Sequence, residues 1–199
     1  MTGTFAVLVL LLLNVPRSAA AAAVVAAAVA AHPDEVNPLL GAGSVSIQAD
    51  VYYGDESEER VPIARTKFYL LDASFVQILK RADFVPEDAA GEKLGTDAAY
   101  LEAAAGAFFN FEADENNALV GLLIDRLIEK HRAALLVTNG DGTAKIRTMP
   151  TGDYFLYAAA VIDETEREVF VWHLPVRVTA NANTALTLDQ DNAESVFAR

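Results

Sequence analysis

The sequence predicts a mainly-β chain, an antiparallel β-sandwich of about seven strands with a helical insertion (about 72–132) between the second and third strands. Three observations carry this expectation. Val45, Ile47, Ala49 and Val51 alternate with Ser46, Gln48 and Asp50, the period-two pattern of a half-buried strand. Between Asp72 and Arg132 the apolar spacing becomes helical. Beyond Ala134, short apolar runs are separated by turn residues at Asp141-Gly142, Thr151-Gly152 and Asn181-Ala182-Asn183, the punctuation of an antiparallel sandwich.

Residues 1–31 read as a signal peptide or N-terminal membrane anchor. Phe5 to Leu13 is an apolar run of signal-peptide length, too short to span a bilayer. Asn14-Val15-Pro16-Arg17 breaks it, and Ser18-Ala19-Ala20-Ala21 supplies small residues suited to cleavage. No Lys or Arg precedes the run, and a second apolar stretch, Ala19 to Ala31, follows it. An uncleaved anchor over residues 5–31 therefore competes with a cleaved signal, and a cytosolic protein with a misassigned start is a third reading. Export to the periplasm or cell exterior is the expectation. Residues 32–43, with two prolines, two glycines and two acids, form a linker. The sandwich domain is expected over 44–190, with the insert at 72–132, and residues 191–199 are a C-terminal tail.

Within the domain, Gly54 to Arg60 is an exposed acidic loop, and Val61 to Leu71 is a strand that tolerates Pro62 at its start. Phe75, Ile78, Leu79 and Ala82 mark a first helix, with Asp72 or Ser74 as N-cap. Residues 86–95 form a loop, and Thr96 caps a second helix through Phe108. The third helix, about Asp114 to Arg132, has an apolar arc (Leu119, Val120, Leu122, Leu123, Ile124, Leu127, Ile128) wide enough to touch both a sheet and another helix. Strands follow at Ala134–Thr138, Thr143–Met149, Tyr154–Ile162, Glu168–Leu174, Val176–Thr179 and Thr184–Leu188, with Pro175 predicting a bend or a switch of sheets.

Composition narrows the function classes. Of 199 residues, 28 are Asp or Glu against 15 Lys or Arg, so the surface repels phosphate backbones and anionic lipid alike. Nucleic acid is not an expected partner. The absence of cysteine removes disulfides, thiol nucleophiles and thiolate metal sites together.

The stretch from Thr138 to Tyr157 carries a family likeness. Asp141-Gly142, Ile146 on the following strand, then Pro150, Gly152 and Tyr154 make the pattern Asp-Gly, strand, Pro-x-Gly-x-Tyr, strand. This resembles the carboxypeptidase regulatory-like domains, which are transthyretin- or CnaB-like β-sandwiches of exported bacterial proteins. The strand from Gly43 to Asp55 and the turn Val61-Pro62-Ile63-Ala64 resemble the family's opening elements, with Ala64-Arg65 standing where glycine is usual. The resemblance covers about 43–71 and 133–190, omits the helices, and implies an Ig/transthyretin-like fold and a non-catalytic accessory role. Gly152 is expected to reverse the chain, and Tyr154 to bury its ring and bond a backbone group across the corner, a contact worth about 1 kcal/mol or more.

Signatures of catalysis are missing. His32, His131 and His173 have no second His or Cys at ligand spacing, and neither G-x-S-x-G nor a P-loop occurs. The transthyretin-like hydrolases of purine catabolism end Tyr-Arg-Gly-Ser, whereas this chain ends at Ser195-Val196-Phe197-Ala198-Arg199. No catalytic, cofactor-binding or metal residue is assigned and no cofactor is expected. A hydrolase built on an unrecognised carboxylate pair is the remote alternative. Asp50, Asp55, Glu56, Glu58 and Glu59 read as a solvated acidic surface before they read as a calcium site. Asn139-Gly140-Asp141-Gly142 resembles a calcium loop without its other ligands and reads as a hairpin turn. Tyr52, Tyr53, Tyr157 and Trp172 offer a sugar-stacking platform, though core aromatics are the plainer reading. The function expected is a non-enzymatic cell-envelope sandwich with a structural or protein-interaction role, its partner an unknown protein or glycan, with a membrane tether through residues 5–31 if the leader is retained. A carbohydrate- or peptide-binding module using a groove between insert and sandwich is the second reading.

Overall fold

The structure, a computed structural model, describes residues 41–52, 60–87, 91–109, 115–162 and 168–198. The leader 1–31, most of the linker 32–43, His32, Tyr53 and the acidic residues 54–59 lie outside the described residues.

Nine strands among the described residues form two sheets. In the smaller, β1 (Ala42–Tyr52) is central. It pairs antiparallel with β5 (Thr143–Pro150) and β2 (Arg60–Pro62), and parallel with β8 (Asn183–Leu188). The Ala49 N–H donates to the Gly142 carbonyl and the Ala49 carbonyl accepts from the Ile63 N–H. Both groups of one residue face one side of an antiparallel ladder, so β5 and β2 follow each other along the same edge of β1, opposite β8. The larger sheet is antiparallel throughout, in the order β4 (Arg132–Val137), β3 (Lys67–Leu71), β6 (Gly152–Val161), β7 (Glu168–Val178), β9 (Ser195–Ala198).

Between the sheets lies one core, with Val45, Ile47, Phe68, Leu70, Leu156, Trp172 and Leu188 among its members. A second core lies on the far face of the larger sheet. There Tyr69, Leu71, Tyr157, Val169 and Val171 meet α1 (Phe75–Arg81), α2 (Asp97–Phe109) and α3 (Glu115–His131). The larger sheet is thus buried on both faces, which is why Phe68–Leu71 and Val169–Trp172 are each four consecutive buried apolar residues. Among the described residues the smaller sheet is covered on one face, and β1 alternates from Ala42 to Ala49.

The mainly-β sandwich and the three helices match the expectation, and helix limits agree within a few residues. Four details differ. Val61–Leu71 is two strands in different sheets, β2 and β3, joined by a turn at which Arg65 takes a left-handed φ of 57°. The helical insertion therefore follows the third strand. Pro175 neither bends nor ends β7, which runs unbroken past it opposite Phe155. Val171 shows why, since its carbonyl accepts from the Glu194 N–H on the β9 side. Pro175 has the same parity but lies beyond β9's pairing, so its missing N–H falls on an open edge where the β6 ladder does not need it. Asn139–Gly142 is not a hairpin: β4 and β5 belong to different sheets, as do β5 and β6, and both turns are arches across the sandwich. Finally, β8 runs parallel to β1, and residues 191–199, expected as a tail, contribute β9.

The two arches use their residues differently. Gly142 has φ 71°, and a Cβ there would sit 2.2 Å from the Ala49 carbonyl oxygen, so glycine is required twice over. Gly152 is not left-handed. Its hydrogen faces the Tyr154 ring, whose hydroxyl donates to the Pro150 carbonyl at 3.1 Å. The corner bond exists as expected, but it lies at the surface, not in the core.

Candidate functional site

Along β1 the odd residues point into the core, so Ser44, Ser46 and Gln48 point outward. The register sets Lys145 beside Ser46, and across β1 it sets Asn183 beside Ser44, Ala185 beside Ser46 and Thr187 beside Gln48. The Ser44 hydroxyl donates to Asn183 Oδ1 at 2.8 Å, and Asn183 Nδ2 donates to Ser46 Oγ at 2.9 Å. The result is a lattice of hydroxyls and amides with Lys145 and Arg147 exposed along one side. In a chain with 28 acids, the strand segments 42–49, 143–150 and 183–188 contain none. Among the described residues no helix or strand packs over this face, whereas the outer face of the larger sheet is covered by the helices.

At one end of the face, Asp50 shares the outward parity yet is only 8% exposed. Arg60 lies over it at 3.3 Å and Gln48 reaches it at 3.5 Å. The Arg60 guanidinium also stacks 5.1 Å from the Tyr52 ring centroid and donates Nε–H to the Tyr52 hydroxyl at 3.0 Å. That hydrogen bond, and then the charge of Asp50, push the Arg60 pKa up. Asp50, the carboxylate of this surface among the described residues, is thereby paired within the fold, and the Tyr52 ring bearing the Arg60 cation flanks the lattice.

The residues singled out from sequence fall elsewhere or are already engaged. Trp172 and Tyr157 lie in different cores, with Trp172 fully buried and its Nε1–H donating to the Asp189 carbonyl at 2.9 Å, so they form no platform with Tyr52. Burial pushes the Tyr157 hydroxyl's pKa up, with neighbouring Tyr69 adding to it. Asn139 Oδ1 accepts from the Asp141 N–H, the Thr143 N–H and the Thr143 hydroxyl, which closes the arch by its own atoms. His131 pairs with Asp72, Lys80 with Asp97 and Arg177 with Asp153, whose carboxyl is held low by the Arg177 hydrogen bond. Among the described residues, no three His, Asp or Glu side chains gather as a metal site.

A shallow hollow of about 200 Å³ near Pro62 and Ile162 has Thr66 as its polar lining, and the Thr66 hydroxyl already donates to the Ala64 carbonyl. Between insert and large sheet the side chains interlock, and the space expected there as a groove is filled by Phe75, Val76, Ile124 and Ile128. The arc of α3 is only half used. Ile124 and Ile128 are buried, while Leu119, Leu122 and Leu123 are 67%, 46% and 40% exposed.

One serine and one histidine do meet: Ser74 Oγ lies 3.2 Å from His173 Nε2. A nucleophile needs that nitrogen's lone pair for itself. Here the Phe75 N–H also donates to it at 3.2 Å, so the pair serves a helix end.

The open face was not singled out by motif, because no motif marks it. Its signal is the lack of acids in three strand segments, which acquires meaning only when those segments are known to share a sheet.

No protein-family model matches the chain, and no curated protein matches it in sequence. Solved structures similar to it include a Pseudomonas aeruginosa protein described in provisional terms as carbohydrate-binding. That match has 13% identity over 76% of this chain and 90% of the other, with a TM-score of 0.40. A minor pilin of Streptococcus agalactiae aligns at 12% identity over 76% of this chain and 44% of the pilin, with a TM-score of 0.34. A major pilin of Corynebacterium diphtheriae aligns at 15% over 75% and 33%, with a TM-score of 0.31. The chain thus spans less than half the length of either pilin. At these scores the likeness adds nothing to what the strand pairing already establishes.

Proposed function

We propose that this chain is a non-enzymatic β-sandwich module of the cell envelope that works by contact, and that the open face of its smaller sheet is the contacting surface. The observation that carries the reading is the asymmetry of the two sheets: helices cover the larger, while strand segments 42–49, 143–150 and 183–188 of the smaller carry no acid and present Lys145 and Arg147, with Asp50 at the end of the face paired to Arg60. An acidic protein keeps such a face accessible to a partner bearing carboxylates or dense hydroxyls, through charge-assisted bonds from Lys and Arg and neutral ones from Ser44, Asn183 and Gln48. Export rests on the leader, with residues 5–31 as a signal or tether. The carboxypeptidase regulatory-like resemblance belongs to this reading. Its support is the arch pair, where Gly142 meets the β1 backbone and Tyr154 bonds Pro150.

The test combines localisation with binding. Fractionation and N-terminal sequencing of the mature chain are expected to place it in the envelope. Envelope material, separated into glycan, lipid and protein fractions, is expected to retain the wild-type chain on the glycan or protein fraction and to release the variant carrying Lys145→Glu and Arg147→Glu. Equal retention of that variant, with its melting curve unchanged, would remove the open face from the proposal. A cytosolic chain would remove the envelope role.

A further inference from the structure

His173 stands on the helix-facing side of β7, where its ring stacks on Phe155 of β6 with centroids 5.6 Å apart and planes 15° apart. Its Nε2 accepts the Phe75 N–H, the first N–H of α1, and lies beside Ser74 Oγ. Accepting that bond requires an unprotonated Nε2, so the neutral ring carries its proton on Nδ1. Ser74 occupies the N-cap position of α1, but its hydroxyl caps none of the helix's own N–H groups. The cap comes from a strand 98 residues further along the chain. At seven residues α1 is far too short to stand alone. It is held by burial of Phe75, Val76, Ile78 and Leu79, with the Phe75 ring against Tyr157 at 4.1 Å, and by this imported cap.

We propose that His173 is a proton-operated clasp for the helical layer: neutral, it fastens the first turn of α1 to the larger sheet, and protonated, it lets that turn go. Proton uptake on Nε2 converts the acceptor into a donor. The new N–H has Ser74 Oγ, 3.2 Å away, as its acceptor, while the Phe75 N–H is left facing a cation with nothing to donate to. Release of that turn uncovers the apolar contact between Phe75 and Tyr157.

The charged groups that bear on the ring are Glu194, ahead of β9, and Asp97, at the start of α2 and paired with Lys80 at 2.8 Å. Both favour the cation, but burial outweighs them and holds the ring below its ordinary value of 6.5. A depressed folded value means the clasp's contribution is complete above pH 6.5. It is lost as the pH falls from there through the ring's folded value, and it does not change further below.

The test uses the isotopically labelled full chain. Ring nitrogen shifts should show His173 neutral with the proton on Nδ1 near pH 7. Exchange protection of the Phe75 to Leu79 amides, corrected for intrinsic rates, should fall by about tenfold or more in step with the His173 titration. His173→Gln places an amide oxygen where Nε2 stood and should hold protection constant with pH, whereas His131→Gln should leave the wild-type response intact. An Nε2–H tautomer at neutral pH, protection that stays flat while His173 titrates, or a response abolished by His131→Gln would each overturn the proposal. The first two are read on the wild-type chain and do not depend on any variant folding.

Discussion

The Asp72 carboxylate meets the His131 imidazole at 2.8 Å, and the Asp72 N–H donates to the His131 carbonyl at 3.0 Å. Asp72 follows β3 and His131 ends α3 immediately before β4, so this pair closes the helical layer at its root. Because β3 and β4 are antiparallel neighbours, the insertion leaves and re-enters the sheet across a single strand pair. Replacing residues 73–130 by a short glycine-containing turn should therefore keep the sandwich core while uncovering Tyr69, Leu71, Tyr157, Val169 and Val171. The shortened chain is expected to retain native Trp172 emission, bind an apolar dye and self-associate. A monomer that ignores the dye would contradict this division of the two cores.

Two of the left-handed positions, Arg65 and Gly142, should respond in opposite ways. Arg65→Gly relieves a φ that costs an L-residue roughly 1–2 kcal/mol, against about 0.5–1 kcal/mol of added chain entropy, for a net gain of about 0.5 kcal/mol. Gly142→Ala drives a methyl to 2.2 Å from the Ala49 carbonyl and should cost about 3 kcal/mol or more, because the obstacle is backbone. Urea midpoints of the two variants on either side of wild type would establish the contrast, and a neutral Gly142→Ala would refute it.

Trp172 is the chain's single tryptophan and its largest fully buried side chain, set between Phe68 and Phe170. Trp172→Phe leaves a cavity and orphans the Asp189 carbonyl, a loss of about 2–4 kcal/mol. Since the substitution removes the fluorophore, the comparison is best made by far-ultraviolet circular dichroism, and a loss below about 1 kcal/mol would mean the pocket collapses freely.

Tyr154→Phe should be milder than the sequence pattern suggests. Its hydroxyl bonds the Pro150 carbonyl at the surface, where water replaces the lost partner, so about 0.5 kcal/mol is expected in place of 1 or more. A change of 2 kcal/mol in thermal unfolding would show that the corner is drier than this geometry implies.

Much of this architecture was legible because local periodicity reports local burial. The alternation over Val45–Val51 gave β1 and its two faces, and the helical spacing after Asp72 gave three helices with limits close to those observed. Periodicity does not say which sheet a strand joins, so the pattern by itself runs Val61–Leu71 together as one strand and makes Asn139–Gly142 a hairpin. The doubly covered sheet did leave a trace in Phe68–Leu71 and Val169–Trp172, runs without alternation that mark strands buried on both faces. The cap that His173 gives α1 left none, since it joins residues nearly a hundred positions apart. The open face is of the same kind, written in three segments whose adjacency only the fold supplies.

Pro175 carries one more implication. Along that edge of β7, the Val171 carbonyl is taken by the Glu194 N–H and the Arg177 carbonyl by the Thr184 hydroxyl. The stretch left between them is short and has a proline at its far side, where the backbone offers no hydrogen to a newcomer. A foreign strand trying to extend the sheet there would find no continuous ladder to grip, so the same residue that leaves β7 intact also blunts that stretch of edge against strand addition.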